Sequence, residues 1–356
     1  MILTHLLYLC ISVSLMIAAS LKAFESMNQI FPNNPEVLAN IAECRSRLSY
    51  VHVAKDLFQK AKSIDETTTC EMGSYALLLR HHDTERSKLQ NLALQLLTNS
   101  KHTPETWISL AIHFESKAQY DKALKFAERA IEMNDKFVLG YLVKANTLSV
   151  LGKFADAVSC FHKVHYFSRD IRIYHGLVTC YMAIPQLQDA KAAADMAQKL
   201  HPTHYKSAIL VGTVLNARGE TREQARAQFQ KAIQLCQREE ETPRLLGTEE
   251  ATLGLAEVEA RNNNFARAIQ LVKEQLQRQN TDALHTKLGE LCIKAGDNTE
   301  ATVHLHNALN LNPHSEQAAR LLEELELLLQ VSGEGSNNSN NRSEFEDEEE
   351  EEGVYL

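Results

Sequence analysis

The sequence predicts an all-α protein in which antiparallel helix pairs stack side by side into a right-handed superhelix, an α-solenoid, ending in an acidic tail with no fold of its own. Three observations carry this reading. Gly (13) and Pro (7) are scarce in 356 residues while Ala, Leu, Gln and Glu are abundant, the balance that helix interiors favour. No stretch shows sustained β-branched alternation, so no sheet is expected. Small and apolar residues recur with a period of about 34 residues, the mark of a repeat array. Charge is also segregated: residues 331–356 hold nine acidic residues against one arginine, so −8 of the net −9 lies there and the body is close to neutral.

The repeat is clearest in TWISLAIHFESKAQYDKALKFAERAIEMNDKF, where Trp107, Leu110, Ala111 and Phe114 are followed by Tyr120, Ala123, Ala127 and Ala130. The next stretch places Tyr141, Ala145, Leu148, Gly152, Phe154, Ala157, Phe161 and Val164 at matching offsets. Tyr174, Leu177, Tyr181, Leu187, Ala190, Ala197 and Pro202 repeat the pattern, and Leu288, Gly289, Gly296, Ala301, Leu305, Ala308 and Pro313 close it. Large apolar residues at the fourth, seventh and eleventh positions make one face of a first helix. A small residue at the eighth lets a second helix approach, and Gly or a polar residue near the fifteenth makes the turn. Small residues flanking a bulky one form the facing stripe of the second helix, and Pro stops it. Each pair leaves an apolar flank that only a neighbouring pair can cover, so the units must stack. This is the tetratricopeptide (TPR) pattern.

In chain order, residues 1–34 form an apolar segment that reads as a partial or degenerate unit. The array then occupies 35–330 as about seven to eight helix pairs: 35–68, a degenerate 69–103, 104–137, 138–170, 171–204, 205–241, 249–282 and 282–315. The stretch REEETPRLLGTEE lengthens one connection. A capping helix over 316–330 presents a polar outer face, and 331–356 is a tail with almost no core-forming residues and a block of like charge, expected to be disordered.

The opening MILTHLLYLCISVSLMIAAS has no Asp, Glu, Lys or Arg, and it invites comparison with an address or an anchor. It lacks the basic residues of a signal peptide's n-region, and Thr4, His5, Ser12 and Ser14 dilute it as a membrane span. With a unit started at Met1, Leu7 and Ile11 take first-helix core positions, Phe24 the bulky second-helix position and Pro32 the terminating one. The segment therefore reads as part of an array already under way, as at a truncated start, with a cleaved signal or a membrane anchor as the minority reading.

Chemistry is sparse. His81–His82, His162 with His165, His201 with His204, and His304 with His306 are close pairs, but none stands in an HExxH helix or beside cysteines at zinc spacing. His304 and His306 should point to different helix faces. Seven dispersed cysteines without a CxxC pair read as buried thiols in a reducing compartment. There is no phosphate-binding GxxxxGK[ST] loop, no GxGxxG after a strand and no GxSxG elbow. The expectation is a non-enzymatic protein with no catalytic residues, no cofactor and no metal. A near-neutral body with no dense basic face is not expected to bind nucleic acid.

Such arrays usually act through the surface lined by the first helices. Positions that carry Lys, Asn and Arg in the carboxylate clamp of chaperone-binding TPR proteins are here Ile108 and Ile112, then Leu142 and Asn146, with His175 in the following unit. Only Asn146 would serve a clamp, so an apolar groove for a partner peptide or helix is the expected site. In the tail, Ser343 opens the stretch SEFEDEEEEE, whose following acidic residues are the context of acidophilic kinases, and is a candidate phosphosite.

The stretch ETWISLAIHFESKAQYDKALKFAERAIEMN, followed by LVKANTLSVLGKFADAVSCFHKVHYFSRDIRIYHGLVTCYMA, resembles subunit 7 of the anaphase-promoting complex (cyclosome). MGSYALLLRHH upstream, VLNARGETREQARAQFQKAIQL and LHTKLGELCIKAGDNTEATVHLHNALNLNP downstream, and the acidic finish extend the resemblance from about Leu21 to the end, corresponding to that family's C-terminal part. The resemblance implies a non-catalytic scaffold subunit of a nuclear and cytoplasmic ubiquitin ligase that drives mitotic progression, partnered by other TPR subunits of the complex and by coactivators. Members of that family have further N-terminal repeats that build a homodimer interface. This chain starts without them, which speaks against homodimerisation of the sequence as it stands. The rival reading is a TPR co-chaperone or trafficking adaptor that binds partner peptides through the same scaffold.

Overall fold

A computed structural model describes residues 14–48, 50–80, 85–219, 221–237 and 241–327. Every regular element among them is a helix. Helix α1 (Ser14–Ile30) stands first and is followed by the pairs α2 (Pro35–Arg47) and α3 (Val51–Ile64), and α4 (Met72–Leu79) and α5 (Arg86–Asn99). Next come α6 (Pro104–Ser116) with α7 (Tyr120–Met133), and α8 (Val138–Val150) with α9 (Phe154–His165). Then follow α10 (Ile171–Ala183) with α11 (Leu187–Leu200), and α12 (Tyr205–Ala217) with α13 (Arg222–Gln237). Last are α14 (Glu241–Arg261) with α15 (Phe265–Leu276), α16 (Asp282–Ala295) with α17 (Asn298–Leu311), and a final helix α18 at 316–327. The chain divides into two compact units, Met1–Ala251 and Thr252–Leu356. Both are built of helix pairs packed in chain order, and the fold is a TPR solenoid.

The helix boundaries follow local chemistry. Asn34 caps α2, its Oδ1 accepting from the N–H groups of Glu36 (3.0 Å) and Val37 (3.2 Å), and Pro35 takes the first helical position, where no N–H is needed. Thr281 caps α16 and Asp297 caps α17 in the same manner. Between the helices of a pair the chain reverses through a residue with left-handed φ: Ala118 (56°), Gly152 (75°), Gly219 (73°), Asn263 (60°) and Gly296 (87°). The turn position predicted near the fifteenth residue is therefore a left-handed position, natural for Gly and strained for Ala118.

The core is the repeat pattern made solid. The stripe of small second-helix residues Ala54, Ala123, Ala157, Ala190, Ala225, Ala268 and Ala301 is wholly buried. So are the bulky residues of the same stripe, among them Phe24, Phe58, Phe161 and Leu305, each contributing roughly 2–3 kcal/mol of burial. The Phe161 ring sits directly against the backbone of α10, where a Cβ on Gly176 would come within 2.1 Å of it. In the unit Met1–Ala251, Ile17, Leu21 and Phe24 of α1 pack on Val37, Ile41 and Cys44 of α2. A larger cluster then runs from Ala39 to Val143, and a third from Leu142 to Cys180. In the unit Thr252–Leu356, Leu284, Leu288, Leu291 and Cys292 of α16 pack against Ala268 and Val272 of α15, Ala301 and Leu305 of α17 and Leu325 of α18.

The lengthened connection expected around REEETPRLLGTEE is helical from Glu241, making α14 a 21-residue helix. Pro243 falls in its first turn, where the missing N–H is harmless. At the other end, α1 takes the place of a second helix and buries Phe24. Leu7 and Ile11, on which the first-helix expectation rests, lie outside the described residues, as do the tail and Ser343. No helix among the described residues is long and apolar enough to cross a membrane.

Candidate functional site

The five residues expected to line an apolar groove do not form one. Ile108 and Ile112 are fully buried, and Leu142 is 3% exposed. The physical reason is that successive first helices pack against one another. Ile108 and Ile112 of α6 are wedged in one cluster with Met72, Tyr75 and Leu79 of α4 and Leu139 and Val143 of α8. Leu142 joins Leu177 and Cys180 of α10. Asn146 is half-buried and His175 exposed. The apolar lining is thus core, and what these first helices bring together elsewhere is charge.

At the end of α2, Arg47 reaches the start of α10, its Nη2 lying 2.8 Å from Asp170 Oδ2. Asp170 is the N-cap of α10 and accepts from the Arg172 N–H at 2.9 Å. It also receives the Arg172 side chain, from Nε at 3.1 Å and Nη2 at 2.8 Å. Arg172 Nη2 stands 3.7 Å from Oε1 of Glu43, one turn before Arg47 on α2. Asp170 and Glu43 are nearly withdrawn from water, with side chains 3% and 7% exposed. Burial alone would raise the Asp170 carboxyl, but the Arg172 and Arg47 guanidiniums overrule it and hold the group well below the usual carboxylate range.

Two further carboxylates adjoin this set. Glu71, buried and just ahead of α4, has a left-handed φ of 56°, and Ser74 Oγ donates to its Oε2 at 3.4 Å. Glu105 on α6 accepts from the Gly73 N–H at 2.7 Å, and a Cβ on Gly73 would meet that carboxylate at 2.5 Å, so only glycine fits there. Burial, then the charge of Glu71, pushes the Glu105 carboxyl well above the usual range, against the Gly73 hydrogen bond. The constellation of Glu43, Arg47, Glu71, Glu105, Asp170 and Arg172 therefore sets four acidic groups against two guanidiniums. Its sequence signal was weak: Arg47 stands at a first-helix position where other units carry Ser116, Val150, Ala183 and Ala217, and Glu43 where they carry Ile112, Asn146 and Thr179, but Glu105 and Arg172 share a position with Glu36 and Lys206. Asp170 two residues before Arg172 reads locally as a helix cap, and nothing local names Arg47 as the third partner.

The histidines are paired, but not as neighbours in sequence. His162 Nε2 bonds Tyr181 Oη (2.9 Å) and His165 Nδ1 bonds Tyr174 Oη (3.2 Å), each across to α10. His201 is buried and donates from Nε2 to the Arg169 carbonyl at 2.8 Å, beside the charged constellation. In the unit Thr252–Leu356, His285 Nδ1 and His304 Nδ1 lie 3.0 Å apart. Asn280 Oδ1 accepts from His285 Nε2 at 2.9 Å, so His285 Nδ1 is the acceptor and His304 the donor between the rings. Burial lowers both pKa values, at His304 against the Glu300 carboxylate 3.6 Å from its Nε2. No group of three or more His, Cys, Asp or Glu among the described residues could hold a metal ion. His81 and His82 lie outside those residues. Cys44, Cys70, Cys160, Cys180, Cys236 and Cys292 are free thiols. Burial pushes Cys44 up to about 12 and Cys292 to about 11, which leaves them protonated and poor nucleophiles.

No family model matches the chain. It is similar to anaphase-promoting complex subunit 7 of Arabidopsis thaliana, 29% identical over 86% of this chain and 53% of the plant protein. Subunit 7 of Dictyostelium discoideum is 26% identical over 87% of this chain and 52% of its own length. The chain thus spans about half the length of the curated relatives it matches. Among solved structures, that of the APC/C hetero-tetramer Cut9–Hcn1 superposes with a TM-score of 0.65 at 17% identity, covering 87% of this chain and 59% of the other, a likeness of fold.

Proposed function

We propose that this chain is a non-catalytic TPR scaffold of the anaphase-promoting complex, a ubiquitin ligase of mitotic progression, and acts by binding other TPR subunits of that complex. The observation that carries the reading is similarity to subunit 7 of both a plant and an amoeba along 86% and 87% of the chain. The interior is consistent with a scaffold role: several histidines bond neighbouring side chains, and five of the six thiols among the described residues are buried. The half-buried Asn146 and exposed His175 remain candidates for partner contact on the first helices. Coactivator binding and a nuclear as well as cytoplasmic location follow from the same proposal, as does phosphorylation of Ser343.

The test is affinity purification of the tagged full chain from dividing cells. Recovery of other anaphase-promoting subunits, together with ubiquitin-ligase activity toward a cyclin, is the expected result. Recovery of Hsp70 or Hsp90 without those subunits would support a co-chaperone instead and overturn the proposal.

A further inference from the structure

The charged contact between α2 and α10 joins elements that the repeat does not make neighbours. Helix α2 belongs to the pair 35–64, and α10 opens the pair 171–200, with two complete pairs and the short α4–α5 pair between them. In a solenoid each pair touches its neighbours in sequence, and contacts over such a distance need the row of first helices to curve back on itself. The apolar clusters do not make this contact. Ala39 and Ala42 of α2 belong to the cluster that ends at Val143, whereas Ile173, Leu177 and Cys180 of α10 belong to the cluster that begins at Leu142. Among the described contacts, α2 and α10 meet through Arg47 with Asp170, at 2.8 Å, and Glu43 with Arg172, at 3.7 Å.

We propose that Glu43, Arg47, Asp170 and Arg172 form an ionic latch that closes the row of first helices in the unit Met1–Ala251, and that opening it separates α2 from α10 while each helix pair stays folded. Each side has its own apolar support: α2 packs on α1 through Val37, Ile41 and Cys44, and α10 packs on α9 through Phe161 and Val164. Neither helix depends on the latch to exist. A buried ion pair also holds its closed state by only a modest margin, because the desolvation of both ions offsets most of their attraction. The acidic excess acts in the same direction. Glu71 adds negative charge next to Glu43, and the closed state holds four carboxyl groups, one of them the protonated Glu105, around two guanidiniums. Closure brings Glu43 to 6% exposure and leaves its Oε2 without a hydrogen-bond partner. Opening returns that oxygen to water, which lowers the net preference for the closed form.

The test measures the α2–α10 distance in the full-length chain. Ketone-bearing unnatural residues replace the exposed Glu36 on α2 and Thr179 on α10, leaving the native cysteines untouched, and carry spin labels for pulsed dipolar spectroscopy. The otherwise wild-type chain should give a narrow distribution. Asp170→Asn, which keeps the capping oxygen and removes the charge, should lengthen and broaden it with helix content unchanged by circular dichroism. Arg47→Met, which keeps the apolar stem and leaves the α10 cap alone, should do the same, so the result does not depend on one variant folding. Arg45→Met breaks the 2.7 Å pair with Glu25 between α1 and α2, and should leave the distance as in the wild type. An unchanged distribution in folded Arg47→Met or Asp170→Asn, or an equal lengthening in Arg45→Met, overturns the latch.

Discussion

At the scale of the residue, Glu105 is the group whose environment is most at odds with its charge. It is held by one N–H, that of Gly73, in the company of Glu71 and Glu43, and burial drives its pKa well above the usual range. In the folded state it keeps its proton over a pH interval in which the unfolded chain has lost it. Stability therefore falls as pH rises from the usual carboxylate range through the elevated folded value. Glu105→Gln keeps an acceptor for Gly73 and removes the titration. Thermal unfolding of the two chains should coincide at about pH 4 and diverge as pH rises, with the variant ahead by about 1 kcal/mol near neutrality, the order of the penalty for a poorly satisfied buried polar group. Parallel melting curves across that range would refute the assignment. Glu71, at φ 56°, shows the same principle in the backbone: strain gathers where charged groups are gathered.

At the scale of the element, the turn inside each pair is the most regular feature and the one with a visible defect. Gly152, Gly219 and Gly296 supply the left-handed residue without cost, while Ala118 adopts φ 56° with a Cβ in place. Ala118→Gly should raise stability by about 0.5–1 kcal/mol in chemical denaturation, since relief of the left-handed strain exceeds the added freedom of the unfolded glycine. A loss of stability would mean that the turn rests on the Ala118 methyl. These turns were legible in advance because spacing alone fixes them: once the small stripe of Ala123, Ala157 and Ala190 is seen, the reversal must fall near the fifteenth residue. The helical stretch of α14 across the expected connection was not legible, because Thr242-Pro243 reads as a break unless it falls in a first turn. Ile108, Ile112 and Leu142 were misplaced for a related reason. A stripe of apolar residues on a first helix has the same periodicity whether it faces a partner or the neighbouring first helix, and only the packing of α4, α6 and α8 decides.

At the scale of the whole chain, a repeat pattern reports neighbours and is silent on contacts that skip units. The pairing of Arg47 with Asp170 depends on the accumulated rotation of the intervening pairs, a sum of small angles that no local motif encodes. A solenoid held by nearest-neighbour interfaces alone tends to unfold in loosely coupled stages, and a contact that ties α2 to α10 makes the intervening pairs unfold together. The single tryptophan, Trp107, lies on α6 between those two helices, stacked on Phe126 at 6.0 Å under the Arg129 guanidinium at 4.5 Å, and so reports on that segment. Removing one partner of so buried a pair should cost about 3 kcal/mol. In urea, followed by Trp107 fluorescence, Asp170→Asn should show that loss together with a smaller apparent m value, because a split transition is spread over more denaturant. A shifted midpoint with m unchanged would make the pair a local stabiliser of α10. A fall in m in both Asp170→Asn and Arg47→Met, with no change in Arg45→Met, would mean that four charged side chains couple helix pairs the repeat itself keeps apart.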